Sequence, residues 1–287
     1  MTAVAASRSR GRRTSSPSRS LWYRELLALR EFEKSLTDDR YQRGCGRRIR
    51  RGNVGDADEI LETTFHCDHT WLCPVCGYRA ARDQSRELAE TLMAWTSQGG
   101  SVALLTLTQT HSTEDECDDL WNRLGRGWGA LVRGSGWRAD QETFGLRGYI
   151  RITEVVHRPE SGWNVHFHVP LLLDEALDAQ HSDELKDRLT ARFIREIRAA
   201  GGRASCSGQD LAPRQPGSER QLAHYCTKGT KVWRSENSRT PMAILADLKA
   251  TGEGLGLWKE FSAAVTLTKR RRYSPSHGIA NLVPNRP

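Results

Sequence analysis

A chain of 287 residues can build one large domain or two small ones, and 43 Lys and Arg against 35 Asp and Glu leave it at +8. The excess is clustered. It falls in Arg8, Arg10, Arg12, Arg13, Arg19 and Arg24 ahead of the first acid at Glu25, in Arg40, Arg43, Arg47, Arg48, Arg50 and Arg51, and in Lys269-Arg270-Arg271-Arg272. That is the footprint of a polyanion binder, nucleic acid above all. No window approaches the ~18 apolar residues of a membrane span, and the Arg- and Ser-rich start lacks a secretory apolar core, so membrane partners are excluded and a cytoplasmic protein is expected.

In chain order, residues 1–20 read as a disordered basic arm, with nothing apolar to bury. Leu21, Trp22, Leu26, Leu29 and Phe32 then suit a short amphipathic helix over residues 21–36. A cysteine-bearing stretch follows and opens into a helix whose Leu88, Leu92 and Trp95 share a face and which stops at Gly99-Gly100. Ser101 to Thr108 (S-V-A-L-L-T-L-T) is apolar and β-branched enough for a buried strand. Thr113-Glu114-Asp115-Glu116 reads as a capping box before a helix carrying Leu120, Trp121, Leu124 and Leu131. Two strand-like runs, residues 147–157 and 163–173, flank a turn cluster around Arg158-Pro159-Glu160-Ser161-Gly162. A helix over residues 182–200 repeats Leu185, Leu189, Phe193 and Ile197 before Gly201-Gly202. After a Gly, Pro and Ser loop, residues 219–233 form a last helix, bearing Tyr225. This order predicts an α+β fold with an antiparallel sheet and helices on one face. Three parts are expected: the arm at 1–20, a helix and cysteine segment at 21–98, and a main domain at 99–287 with a basic tail.

Seven cysteines in a reducing compartment point to metal or incidental thiols rather than disulfides. In C-P-V-C-G, Cys73 and Cys76 lie two residues apart, with Pro74 and Gly77 shaping a turn that aims both sulfurs at one ion. With Cys45 and Cys67 upstream, a four-thiolate structural Zn²⁺ is the leading reading, and His66 or His69 could stand in for Cys45 or Cys67. Cys117, Cys206 and Cys226 are isolated.

In W-N-V-H-F-H-V-P, alternation turns His166 and His168 to one side of a strand and Val165, Phe167 and Val169 to the other. A hairpin centred near Glu160 or Ser161 sets Glu154 across from His166 or His168 on the same face. Two imidazoles and a carboxylate without a thiolate suit Mg²⁺ or Mn²⁺ better than closed structural zinc. Downstream, Q-L-A-H-Y-C-T-K puts Gln221, Tyr225 and Lys228 on one helical face.

The order of a cysteine knuckle, an apolar strand ending L-T-L-T, a Glu followed by H-x-H, and Y-x-x-K resembles the rolling-circle plasmid replication initiators of the HUH endonuclease superfamily. The likeness covers residues 45–280, including L-W-K-E-F and S-H-G-I near the end. It implies a ferredoxin-like or RRM-like nicking domain. It also implies an origin-specific DNA endonuclease and strand transferase with Tyr225 as nucleophile and Lys228 beside it. Glu154, His166 and His168 would hold the catalytic ion. A 5′-phosphotyrosyl intermediate would leave a 3′-hydroxyl primer on single-stranded or hairpin origin DNA. Host helicase and polymerase, a bacterial cytoplasm and a homodimer are the expected partners and setting. One position departs from the pattern. Where several members carry a glutamate four residues before the tyrosine, this chain has Gln221, so termination is expected to use another group or a second protomer's tyrosine. Rival readings are a relaxase or single-tyrosine transposase of the same superfamily, and a zinc-dependent DNA-binding regulator without chemistry.

Overall fold

The computed structural model describes residues 17–51, 61–228, 232, 234–266 and 270–283; of the disordered arm expected over residues 1–20, residues 1–16 lie outside them, as does Lys269, and residues 17–20 are the first turn of a helix instead. Helix α1 (Pro17–Lys34) and the short α2 (Arg40–Gly44) lead into a two-stranded ribbon of β1 (Arg48–Arg51) and β2 (Leu61–Thr64). Helix α3 (Pro74–Ser97) and β3 (Ser101–Leu107) come next, followed by α4 (Cys117–Leu131) and α5 (Gly134–Phe144). The long hairpin β4 (Leu146–Arg158) and β5 (Gly162–Leu173) follows, then α6 (Ala179–Ala199), β6 (Asp210–Arg214) and α7 (Glu219–Thr227). Two short strands, β7 (Arg234–Ser235) and β8 (Ser238–Arg239), precede α8 (Pro241–Thr251), α9 (Leu255–Thr266), β9 (Tyr273–Pro275) and α10 (Ile279–Leu282).

The main sheet has the order β6-β3-β5-β4-β8-β7, with β9 against β4, and every pairing is antiparallel. The α+β class with an antiparallel sheet is thus as the sequence predicts. On one face Leu105, Leu107, Val165, Phe167, Val169 and Leu171 join Leu120 and Leu124 of α4 and Leu185, Leu189 and Phe193 of α6 in the larger core. Each such side chain, when fully buried, contributes about 1.5–3 kcal/mol. Helices α4 and α6 approach so closely at Gly127 that a Cβ there would lie 2.9 Å from the Phe193 ring. The helical cover extends further than predicted. On the opposite face Val102, Leu104, Ile150, Ile152 and Leu172 pack against Leu88, Leu92 and Trp95 of α3 and Leu222, Ala223 and Cys226 of α7. The reason lies in the strands: their second face is also apolar except around the two histidines, and it too must be covered.

Other differences are local. The box predicted at Thr113 is not the helix cap. Asp115 accepts hydrogen bonds from the Ser112 amide and hydroxyl, and α4 begins at Cys117, whose amide donates to Glu260 of α9 at 2.9 Å. A tertiary carboxylate thus does the work of a local cap. The loop predicted before α7 contains β6, a strand whose Pro213 is tolerated because it lies at the sheet edge. Helix α1 starts at Pro17, one turn earlier than the pattern of apolar residues indicates.

Candidate active site

The β4–β5 register pairs Glu154 with His166 and Ile152 with His168, which centres the hairpin on Glu160. Alternation then delivers all three polar side chains to the α7 side of the sheet. Glu154 Oε2 lies 3.2 Å from His166 Nε2 and 3.0 Å from His168 Nε2, and the three groups could hold one metal ion. Glu154 and His168 are buried, at 4 % and 3 % exposure. Burial pushes the Glu154 carboxyl up, but the hydrogen bonds and charges of the two imidazoles outweigh it and hold the group below the ordinary carboxylate range. Burial pushes His168 down, which favours the neutral imidazole a metal requires. The remaining nitrogen of His168, Nδ1, sits 3.4 Å from Thr106 Oγ1. Thr106 is its register partner on β3, and a bond there fixes which nitrogen faces Glu154.

Helix α7 lies over this group because Leu222, Ala223 and Cys226 are buried in the core beneath it. Its Tyr225 is 42 % exposed, with its ring centroid 5.1 Å from that of His168. Lys228 Nζ stands 4.1 Å from the centre of the Tyr225 ring. The structure therefore brings Glu154, His166, His168, Tyr225 and Lys228 together. Burial, followed by the charges of Glu154, Cys226 and Asp210, pushes the phenol up, and Arg214 opposes them. Lys228 meets the ring face rather than setting this balance. Gln221, one turn before Tyr225, is exposed. Glu219 is buried at the start of α7, where its Oε1 accepts from Thr96 Oγ1 at 3.0 Å and from the Gly217 amide at 3.1 Å. It faces α3, not the tyrosine.

The second cluster holds the foot of α3. Cys73 is the residue before its first turn, Pro74 occupies the first helical position, and Cys76 follows within that turn. Cys45 ends α2 and Cys67 follows β2. The Sγ separations Cys45–Cys73, Cys45–Cys76 and Cys67–Cys76 are each 3.7 Å. Four sulfurs at ~2.3 Å around a tetrahedral ion would stand about 3.8 Å apart, so the spacing fits Zn²⁺. The four cysteines could hold a metal ion without a histidine. His66 Nδ1 lies 4.0 Å from Cys76 Sγ, and His69 Nε2 turns to Asp39 at 3.8 Å. A Cβ at Gly77 would lie 2.7 Å from the Thr70 carbonyl oxygen, so the knuckle closes only around glycine.

Arg40, Arg43, Arg47 and Arg48 are exposed near the knuckle. Arg272, counted by sequence in a surface basic cluster, is instead buried, its guanidinium 3.7 Å above the Trp71 ring. Burial pushes its pKa down to about 9, against the pull of Glu154. Thr106, Arg214 and Arg272 were not singled out for this site from sequence. Only Thr106 carried a usable signal, as the threonine of L-T-L-T that antiparallel pairing sets beside a histidine.

Residues 59–185 match the family described as Replication protein. A 151-residue stretch is 30% identical to a protein named Neomycin resistance protein from Streptomyces cyanogenus, covering 44% of this chain and 34% of that one. A 156-residue stretch is 26% identical to Protein rep of Lentilactobacillus hilgardii, covering 54% of this chain and 46% of that one. The chain thus spans less than half the length of these relatives. No solved structure matches significantly. The likeness to replication initiators holds at the level of the family: residues 59–185, which carry Cys67, Cys73, Cys76, Glu154, His166 and His168, are similar to the replication-protein family, and the match ends before Tyr225.

Proposed function

We propose that this chain is a plasmid replication initiator that nicks origin DNA through Tyr225. The observation that carries the reading is the convergence of an exposed phenol on a buried Glu-His-His group, with the Tyr225 and His168 rings 5.1 Å apart. Outside such chemistry that arrangement has no evident use, since an exposed tyrosine adds little to the core.

A Mg²⁺ or Mn²⁺ ion held by Glu154, His166 and His168 would offset the Glu154 charge that raises the phenol and would polarise the scissile phosphate. The Tyr225 oxygen attacks phosphorus, a P–O bond to tyrosine forms, and the P–O3′ bond breaks. The 3′ oxygen leaves with a proton, as the hydroxyl that primes synthesis. Lys228, over the ring face, supplies positive charge near the phosphoryl oxygens. The four cysteines would hold a Zn²⁺ ion at the foot of α3, and α3 packs against α7, so a zinc site there would position the tyrosine helix without touching the reaction. Gln221 cannot act as a base, and Glu219 is turned to α3. Termination therefore falls to another group or to a second protomer's tyrosine. The substrate is single-stranded or hairpin origin DNA, in a bacterial cytoplasm with host helicase and polymerase.

The test is to incubate the protein with Mn²⁺ and labelled single-stranded oligonucleotides tiled across the origin. A covalent adduct that disappears in Tyr225→Phe while DNA affinity is kept supports the reading. Absence of any adduct on every oligonucleotide, with DNA still bound, would make the chain a DNA-binding regulator.

A further inference from the structure

On the face of the sheet away from Tyr225, α4, β4 and the segment after α9 border an open pocket of about 540 Å³ lined by five arginines: Arg126, Arg133, Arg151, Arg270 and Arg271. Among the described residues no carboxylate lines it. Among the described residues only Arg270 has an acidic partner, Asp118. Arg270 also donates to the Ala264 carbonyl at 2.8 Å and to Asn122 Oδ1 at 3.2 Å, so it is fixed in place.

The aromatic rings of the pocket serve the arginines. The Arg151 guanidinium lies 4.8 Å from the Phe167 ring centre, and that of Arg270 4.6 Å from Trp121. Stacking of this kind orients a guanidinium while leaving its N–H edge free for an anion. Arg151 is half-buried, donates to Ser274 Oγ at 3.3 Å, and keeps a buried Nε without a partner. Like charges gathered at this density repel one another unless an anion lies among them. Gly125 of α4 also lines the pocket and stands in open space, where a Cβ would meet nothing within 4 Å. An alanine there would favour the helix by ~1 kcal/mol, so the glycine has a cost that local helix stability does not explain.

We infer that this pocket grips the phosphate backbone of a second stretch of the bound DNA, such as origin duplex flanking the strand presented to Tyr225. The inference rests on the DNA-binding reading above but not on its chemistry. The pocket offers charge without a shaped base site, so its contribution is sequence-independent positioning. Because it opens on the opposite face, it can hold duplex while the tyrosine face engages a single strand.

The full-length protein is titrated with a short labelled duplex over a range of salt concentrations, alongside Arg126→Glu/Arg271→Glu and Gly125→Glu variants. Each lost phosphate contact removes about 0.9 from the slope of log K against log salt. The double variant is therefore expected to lower the slope by about 2 and weaken duplex binding by about tenfold or more at physiological salt. Arg126→Lys/Arg271→Lys should keep both near wild type, and nicking of a short single strand should be unchanged in every variant. An unchanged slope and affinity in both acidic variants would overturn the proposal. So would inorganic phosphate or ATP binding that Gly125→Glu abolishes without any effect on DNA, which would assign the pocket to a free phosphate compound. If nicking is never found but the slope falls as expected, the pocket stands and the tyrosine mechanism is what fails.

Discussion

Replacing Thr106 by valine removes one oxygen at the back of the Glu154-His166-His168 group and little else. The threonine lies on β3 in register with His168, and its Oγ1 is 3.4 Å from His168 Nδ1. Valine has nearly the same shape and suits a strand at least as well, so the sheet should persist. What is lost is the bond that orients the imidazole. Outer partners of metal-bound histidines are generally worth 10–100-fold in affinity, and a separation of 3.4 Å is at the long end of hydrogen bonding. The expected effect is therefore the lower bound, about tenfold weaker Mn²⁺ binding, or about 1.4 kcal/mol. Titration of the zinc-loaded protein with Mn²⁺, followed by electron paramagnetic resonance, measures it, with thermal unfolding as the control for the fold. Unchanged Mn²⁺ affinity would refute the argument that Thr106 sets the tautomer. A large fall in Tm would show that the residue supports the sheet instead.

Removing the ligands themselves, in His166→Ala/His168→Ala, should abolish Mn²⁺ binding and nicking while zinc content stays unchanged; retained nicking would contradict the assignment. Gly77→Ala drives a Cβ against the Thr70 carbonyl oxygen at 2.7 Å, a backbone atom with little room to yield. Zinc content measured by elemental analysis should fall below that of the wild type, together with Tm. Glu33 is buried beside the knuckle with one carboxylate oxygen unpaired. Burial, followed by the charges of Cys45 and Asp39, pushes its pKa up from 4.5 to about 8. A group raised in the folded state contributes its full stability below about 4.5, and that contribution is lost as pH rises towards 8. Glu33→Gln should therefore leave stability at pH 5 nearly unchanged and raise it at pH 8. At ~1.4 kcal/mol per pH unit the upper bound is roughly 5 kcal/mol, less once zinc offsets the thiolate charges. Denaturant unfolding at the two pH values decides it, and an equal effect at both would contradict the buried-carboxyl account.

The Glu154-His166-His168 group was legible because it depends on the shortest-range rules in the chain. Period-two alternation fixes the faces of His166 and His168, and a turn cluster fixes where the hairpin folds, so Glu154 could be placed opposite His166 to within one pairing step. The knuckle was legible for the same reason, through Cys73, Cys76 and the residues that shape their turn. What escaped reading depends on contacts between segments far apart in sequence. The cap of α4 comes from Glu260, 143 residues away. The second helical layer exists because the Tyr225 side of the sheet is also apolar, which alternation alone does not disclose when both faces are filled. Arg272 looked like surface charge in a run of basic residues, yet β9 pairing with β4 carries that segment inward against Trp71. The arginine pocket likewise combines residues from α4, β4 and the chain after α9, with no motif to announce it.

The central claim is that the Glu154-His166-His168 group serves an attack by Tyr225 on a DNA phosphate, and peptide mapping of the trapped adduct tests it most directly. Protein cross-linked to an origin oligonucleotide in Mn²⁺ is digested and sequenced by mass spectrometry, and the released fragment is offered to a polymerase. The account predicts a nucleotide joined through its 5′ phosphate to Tyr225 and a released fragment that the polymerase extends. Linkage through a 3′ phosphate, attachment at any other residue, or a released end that cannot be extended would contradict it.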